Sequence, residues 1–290
     1  MAKQKHTVRQ LPKGTDFIDY CRRAFPLLGS KTAVKKAVAD QRLLRNGRPA
    51  RLTDHLQKGD RLELKGAGLP KARKFDKELP VVLQDDHLIV INKPAGIAVN
   101  GNRVQTVENA LAGLPPSLEA DALPRPVAVH RIDLPTKGLV LLAKTKSALM
   151  ALSQAFEENE VDKAYQAVVH GQPPPQFTVD TPIDGKDAMT KVETLRTVPS
   201  YVFGHLSLVE LKPVTGRTHQ LRIHLQQQGH LIVGDKAYAK GQKTILGKGL
   251  FLCACALSFS HPAMGKRVNV RIDPPRRFGK TLDREERRSG

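Results

Sequence analysis

The sequence predicts an α+β fold, a largely antiparallel mixed sheet with flanking helices, preceded by a small basic module. Three observations predict it. Beyond residue 79, apolar runs of strand length follow one another with only two helical patterns between them, which argues against a repeating βαβ chain. Residues 66–78, GAGLPKARKFDKE, combine Gly, Pro and charge with little apolar content and read as a linker. Charge is uneven: 47 Lys and Arg against 28 Asp and Glu leave +19, and residues 1–65 alone carry 16 basic and 6 acidic side chains. The expected organisation is a basic module at 1–65, a linker at 66–78, a larger domain at 79–275 and a mobile basic tail at 276–290.

In the basic module, TDFIDYCRRAF and SKTAVKKAVADQR carry helical patterns, and RLLRNGRPARL and DRLELK carry strand patterns. The second helix offers Ala33, Val34, Ala37 and Val38 to the core and turns Thr32, Lys35, Lys36 and Asp40 outward. Asn46-Gly47 is a hairpin turn signal, and Lys58-Gly59-Asp60 marks another turn. Lys35, Lys36, Arg42, Arg45 and Arg48 surround this helix and hairpin, a cationic face suited to phosphate. A protein this basic is expected to meet a nucleic acid.

The larger domain reads as strands at VVLQDD, HLIVINKP, GLVLLAKT, KAYQAVVHG, VETLRTV, YVFGHLSLVEL, FLCACALSFS and KRVNVRID, with helical patterns at 146–160 and 217–229. A composition of 40% hydrophobic residues supports an ordinary core. No apolar run of about 18 residues occurs, and MAKQKHTVRQ lacks the apolar stretch of a secretory signal, so the expectation is a cytoplasmic protein with no membrane contact. Cys21, Cys253 and Cys255 are too few for a disulfide framework, and Cys-x-Cys alone supplies too few ligands for zinc; buried free thiols are expected.

Three segments concentrate polar chemistry. His130-Arg131-Ile132-Asp133-Leu134-Pro135-Thr136-Lys137-Gly138 is a loop that delivers one carboxylate at a strand entrance, where an isolated Asp133 would read as a turn residue. Lys163-Ala164-Tyr165 heads a strand, where a Tyr is by default a core or cross-strand residue. Gly216-Arg217-Thr218-His219-Gln220-Leu221-Arg222-Ile223-His224 gathers more polar residues at a helix start than one cap needs, which points to a site.

Together these segments resemble the motifs of the RluA-type pseudouridine synthase family, H-R-L-D-x-x-T-S-G, K-x-Y and G-R-x-H-Q-L-R-x-H, in the same order. NKPAGIAVN at 92–100 and GHLIVGDKAYAKG at 229–241 resemble two further motifs of that family, so the likeness spans about residues 80–273. Ile132, Lys137 and Val233 depart from the usual residues, and none of these changes removes an ionisable group. KKAVADQRLLRNGRPARLTDHLQKGDRLEL resembles the α-L RNA-binding domain of a ribosomal small-subunit protein, with Ser30-Lys31 where that family carries S-R.

The resemblance implies an isomerase that breaks the glycosidic bond of a uridine, turns the base and rejoins it through carbon 5. It implies Asp133 as the carboxylate acting at the sugar, Arg222 as the charge that holds it ionised, and Tyr165 against the uracil, helping to remove the carbon-5 proton. Arg131 is implied as the side chain that fills the gap left by the flipped base. The histidines are expected in structural hydrogen bonds. No cofactor and no metal is expected, because the reaction has no net oxidation or hydrolysis, and the expected partner is ribosomal or transfer RNA, bound by a monomer. Two other readings stay open: a non-catalytic RNA-binding protein with a relic second domain, and a glycosidase or nuclease, which would need paired carboxylates or a metal.

Overall fold

The computed structural model describes residues 3–11, 15–28, 31–66, 72–239, 241, 244, 245 and 247–289. The chain forms two compact units, Met1–Ala72 and Arg73–Gly290. The first holds β1 (Lys3–Thr7), α1 (Phe17–Ala24), α2 (Lys31–Ala39), β2 (Leu43–Arg45), β3 (Arg48–Pro49) and β4 (Arg61–Lys65). Its sheet runs β1-β4-β2-β3, all antiparallel. Val34 and Ala37 of α2 are fully buried beside Cys21, Phe25, Leu43, Leu62 and Leu64, while Lys35 and Lys36 on the opposite face are exposed. The helical spacing thus sorts the face that packs from the face that meets solvent.

The β2–β3 turn depends on positive φ at both central residues, Asn46 (49°) and Gly47 (83°), the turn that suits a two-residue hairpin. Asp60 anchors it. This buried carboxylate accepts from Asn46 Nδ2 (2.7 Å), Arg45 Nε (2.8 Å) and the Gln57 amide (2.8 Å). Burial alone would raise its pKa; these hydrogen bonds outweigh burial and hold the carboxyl below the usual range.

The second unit holds β5 (Val81–Gln84), β6 (Leu88–Lys93), α3 (Val107–Ala110), β7 (Ala122–Ala128), β8 (Lys137–Thr145), α4 (Lys146–Glu157) and β9 (Asp162–His170). It continues with β10 (Gln176–Val179), β11 (Thr190–Ser200), β12 (Gly204–Pro213), α5 (Gln220–Gln227), β13 (Leu252–Ser260), β14 (Arg267–Arg271) and α6 (Arg277–Ser289). One sheet runs β10-β11-β12-β9-β13-β8-β6-β5, with β14 on β13 and β7 on β8. The eight strand patterns expected here all form. Pairing is antiparallel except between β8 and β13, where Cys253 meets Lys137 and Ala254 meets Gly138. The three cysteines are buried free thiols.

Several expectations need correction. The tail is not mobile: residues 277–289 form α6, whose Phe278, Thr281, Leu282 and Glu285 are buried against β11 and β12. Its cations had hidden an apolar i, i+4 pair. The linker falls partly on residues 67–71, outside the described residues. Its second half belongs to the larger unit, since Arg73 donates from Nη1 to the Asn102 carbonyl (2.9 Å) and Phe75 packs on the core around Ile89 and Ile91. Strands β1, β7 and β10 and the short α3 were not expected, and the 217–229 helix is shorter, beginning at Gln220. Among the described residues no helix is long and apolar enough to cross a membrane.

Candidate active site

Strand register sets up the site. Lys93 of β6 pairs with Gly138 of β8, Gly138 with Ala254 of β13, and Ala254 with Tyr165 of β9, one row across four strands. Gly138 closes the Asp133 loop at this row. Its φ is +117°, and a Cβ there would overlap the Ala254 backbone carbonyl, so the close parallel approach of β8 to β13 requires glycine. Any side chain would push the loop off the sheet.

Lys93 fastens that loop from beneath. Fully buried, its ammonium donates to the carbonyls of Pro94 (3.0 Å), Ile97 (2.9 Å) and Leu134 (3.3 Å), tying the segment after β6 to the residue following Asp133. Burial pushes its pKa down to about 8, against the raising effect of the Asp133 charge. The Thr136 amide donates to the Asp133 carbonyl (3.1 Å), completing the turn.

Arg222 arrives from α5, which packs on β11 and β12 with Leu221 and Leu225 in the core. Gln220 and His224, four residues apart, share one helix face, and Arg222 lies about 200° round from Gln220. Gln220 uses its whole amide. Its oxygen accepts from Thr215 Oγ1 (2.7 Å) and the Arg217 amide (3.0 Å), and its nitrogen donates to the Met189 carbonyl (2.9 Å) and Thr190 Oγ1 (3.1 Å). His224 lies 2.9 Å from the same Thr190 hydroxyl and donates to the Thr181 carbonyl (3.0 Å), and burial lowers its pKa. This face locks the helix, and the opposite face presents the guanidinium.

That guanidinium is forked onto Asp235, Nε to Oδ2 and Nη2 to Oδ1, both at 2.7 Å, and its Nη1 donates to Asp133 Oδ2 at 3.2 Å. Arg222 and Asp235 are buried, whereas the Asp133 side chain keeps 24% of its surface exposed. Burial would lower the Arg222 pKa, but the hydrogen bonds and charges of Asp235 and Asp133 raise it. The result is a permanent cation between one buried carboxylate and one reachable carboxylate.

His219 and Tyr238 complete the wall. His219 adopts φ 56°, ψ 18° just before α5, an unusual conformation for a residue with a Cβ, and makes no capping bond. Its Nε2 lies 3.8 Å from Asp133 Oδ2 and its Nδ1 2.8 Å from the Tyr238 hydroxyl, and the Tyr238 ring lies 5.0 Å from the Arg222 guanidinium carbon. Tyr165 is half-buried, its phenol pushed up first by burial and then by the charge of Asp133. His130 is structural: its Nε2 accepts from the Leu141 amide (3.0 Å), its ring stacks on Phe156 at 4.5 Å, and burial pushes it down to about 3.

The structure therefore brings Asp133 and Arg222 into direct contact, with Tyr165 close enough to feel the Asp133 charge. Arg131 is exposed and makes no hydrogen bond or ion pair with a described residue. In the first unit Lys35, Lys36 and Arg48 are exposed; Arg42 lies 3.7 Å from Asp40, and Arg45 is held by Asp60. Sequence reasoning had not singled out Lys93, Asp235, Tyr238 or His219 as site residues, although all four fall in motifs it quoted. Among the described residues no group of three His, Cys, Asp or Glu could hold a metal ion.

Comparison with known proteins gives the family. A family model described as RNA pseudouridylate synthase matches residues 87–227. The chain is 34% identical over 209 residues to the dual-specificity RNA pseudouridine synthase RluA of Escherichia coli (strain K12), covering 67% of this chain and 92% of that protein. It is 31% identical over 296 residues to the ribosomal large subunit pseudouridine synthase C of Rickettsia bellii (strain RML369-C), covering 90% and 95%. Among solved structures, human RNA pseudouridylate synthase domain containing 4 matches with a TM-score of 0.57 at 27% identity, covering 71% of this chain and 92% of that one.

Proposed function

The chain belongs to the RNA pseudouridylate synthase family, as an isomerase of the RluA type, and on that premise we propose that Asp133 carries the reaction on a structured ribosomal or transfer RNA. The observation that carries this reading is the Arg222 bridge: a buried cation, neutralised on one side by Asp235, whose Nη1 holds the partly exposed carboxylate of Asp133.

In the reaction the C1′–N1 bond breaks, the uracil turns, a C1′–C5 bond forms, and the carbon-5 hydrogen leaves as a proton while N1 gains one. Asp133 acts at the sugar, by attack on C1′ or by removal of a 2′ proton, and Arg222 holds its carboxylate in place through Nη1. Tyr165 is a phenol at neutral pH, as an ordinary tyrosine is, and burial and the Asp133 charge raise its pKa further. It serves as a platform for the uracil face, and takes the carbon-5 proton only as a relay that releases its own hydroxyl proton. Arg131, without a hydrogen-bond or ion-pair partner among the described residues, is placed to enter the stack when the uridine leaves it, a displacement that costs a few kcal/mol.

The first unit is an α-L type RNA-binding domain on this reading, with Lys35, Lys36, Arg42 and Arg48 toward phosphate and Arg45 shared with the hairpin anchor. The Rickettsia bellii relative spans nearly the whole chain and is named for the large ribosomal subunit, which favours ribosomal RNA over transfer RNA. The protein acts as a cytoplasmic monomer on this reading.

Asp133→Asn keeps the shape of the side chain and cannot attack or accept the proton, so pseudouridine formation should fall at least about a thousandfold while RNA affinity stays near wild type. Release of the carbon-5 proton in single turnover measures it, and a variant within tenfold of wild type would remove Asp133 from the mechanism. Arg131→Ala should slow turnover on a structured RNA more than on one whose target uridine is already unstacked; equal losses on both would contradict the flipping role. Removal of residues 1–66 should weaken RNA binding and reduce the slope of log affinity against log salt by somewhat under one per lost phosphate contact, with turnover at saturating RNA within about tenfold. A salt slope identical to that of the full chain would mean that RNA is held without the first unit.

A further inference from the structure

An open groove of about 530 Å³ lies between α6 and the segment around Lys248, lined by Lys248, Arg277, Lys280, Arg284, Arg287 and Asp283 among others. We propose that this groove is a second RNA site, binding the phosphate backbone of the substrate strand that continues away from Asp133. The proposal rests on the reading of the chain as an RNA pseudouridine synthase, and three features of the structure carry it.

The first is how α6 sorts its charges. All three of its acids are already paired: Asp283, itself on the groove wall, and Glu286 accept from the two terminal nitrogens of Arg196 (2.7 and 2.6 Å), and Glu285 accepts from Ser200 Oγ (2.8 Å) and from Arg284 Nη2 of the groove lining (3.0 Å). Lys248, Arg277, Lys280 and Arg287 have no carboxylate partner among the described residues. The buried face of α6 is made by Phe278, Thr281, Leu282 and Glu285, so packing does not call for Lys280 or Arg287. Four uncompensated cations around one concavity make a local positive potential suited to a polyanion.

The second feature is preorganisation of the wall. Arg277 spends its guanidinium on the main chain, Nη1 donating to the Lys248 carbonyl and Nη2 to the Leu250 carbonyl (2.7 Å), while lying over the Phe251 ring at 4.7 Å. Its charge is kept and its position fixed, so Lys248 is held at the rim by backbone rather than left on a loose loop. The third is continuity with the catalytic centre. Gly249 lies so close to Gly234 that a Cβ on Gly234 would overlap the Gly249 carbonyl, and the next residue is Asp235, the clamp of Arg222. The rim of the groove is thus one backbone contact from the loop that supports the site.

The test is Lys248→Ala/Lys280→Ala/Arg287→Ala in the full chain, assayed with a labelled stem-loop RNA of about 40 nucleotides across a range of salt concentrations. Affinity should fall about tenfold near 0.1 M salt and the salt slope by about two, each lost phosphate contact contributing about 0.7 to 0.9. The companion Lys248→Arg/Lys280→Arg/Arg287→Lys variant keeps the charges and should bind like wild type, which separates lost charge from a damaged fold. An alanine variant with wild-type affinity and slope overturns the proposal, as does a charge-preserving variant that binds as poorly as the alanine one. Pseudouridine formed by wild type in the same reactions reports on the catalytic reading separately, since loss of binding is scored whether or not product appears.

Discussion

The site depends on one guanidinium shared between two carboxylates. Asp235 is almost wholly buried, and a buried carboxylate without a cation would be strongly destabilising. The bidentate bond to Nε and Nη2 of Arg222 meets that need and leaves Nη1 facing outward, where it meets Asp133. The burial that makes Asp235 demand a partner therefore fixes the cation that the exposed carboxylate uses. Asp133 is thereby hydrogen-bonded to a group that cannot lose its proton, yet it remains reachable from solvent.

Holding Asp133 opposite Arg222 is the work of the sheet. The two residues are 89 positions apart, and the loop carrying Asp133 has little regular structure of its own. It is pinned at Gly138 by the approach of β8 to β13 and at Leu134 by the buried ammonium of Lys93. Arg222 is pinned by Gln220 and His224 on the opposite side of α5. The polar motif at the head of α5 thus divides its labour, two members building the scaffold and one performing electrostatics. Strain at His219, held at φ 56° beside Asp133 and Tyr238, sits where the two halves meet.

Much of this was legible in the sequence because its signals are local. Strand β6 reads as a continuous apolar run, Asn46-Gly47 specifies its hairpin, and Ala33, Val34, Ala37 and Val38 mark the packed face of α2. What escaped was either masked or long-range. Strand β7 contains Pro124 and Pro126 and pairs with β8 through a register break, so it shows no alternating pattern. In α6 five cations and three acids outnumber Phe278 and Leu282, and the segment looked like a tail. Lys93 and Asp235 stood inside quoted motifs, but a buried lysine bonded to three carbonyls and a carboxylate behind an arginine are tertiary facts with no trace in spacing. Arg45 was grouped with the phosphate-facing cations for the same reason, since its partner Asp60 lies fifteen residues away.

The most direct measurement of the shared-guanidinium account is single-turnover pseudouridine formation by Asp235→Asn, at a buried residue that touches Arg222 rather than Asp133. The amide keeps the shape and one acceptor but removes the charge that fixes Arg222. The account predicts a folded protein that binds RNA within about twofold of wild type and forms product at least about a hundredfold more slowly, near 2.7 kcal/mol of lost transition-state stabilisation. A folded Asp235→Asn protein that turns over within twofold of wild type would contradict it, and would mean that Asp133 needs no fixed cation.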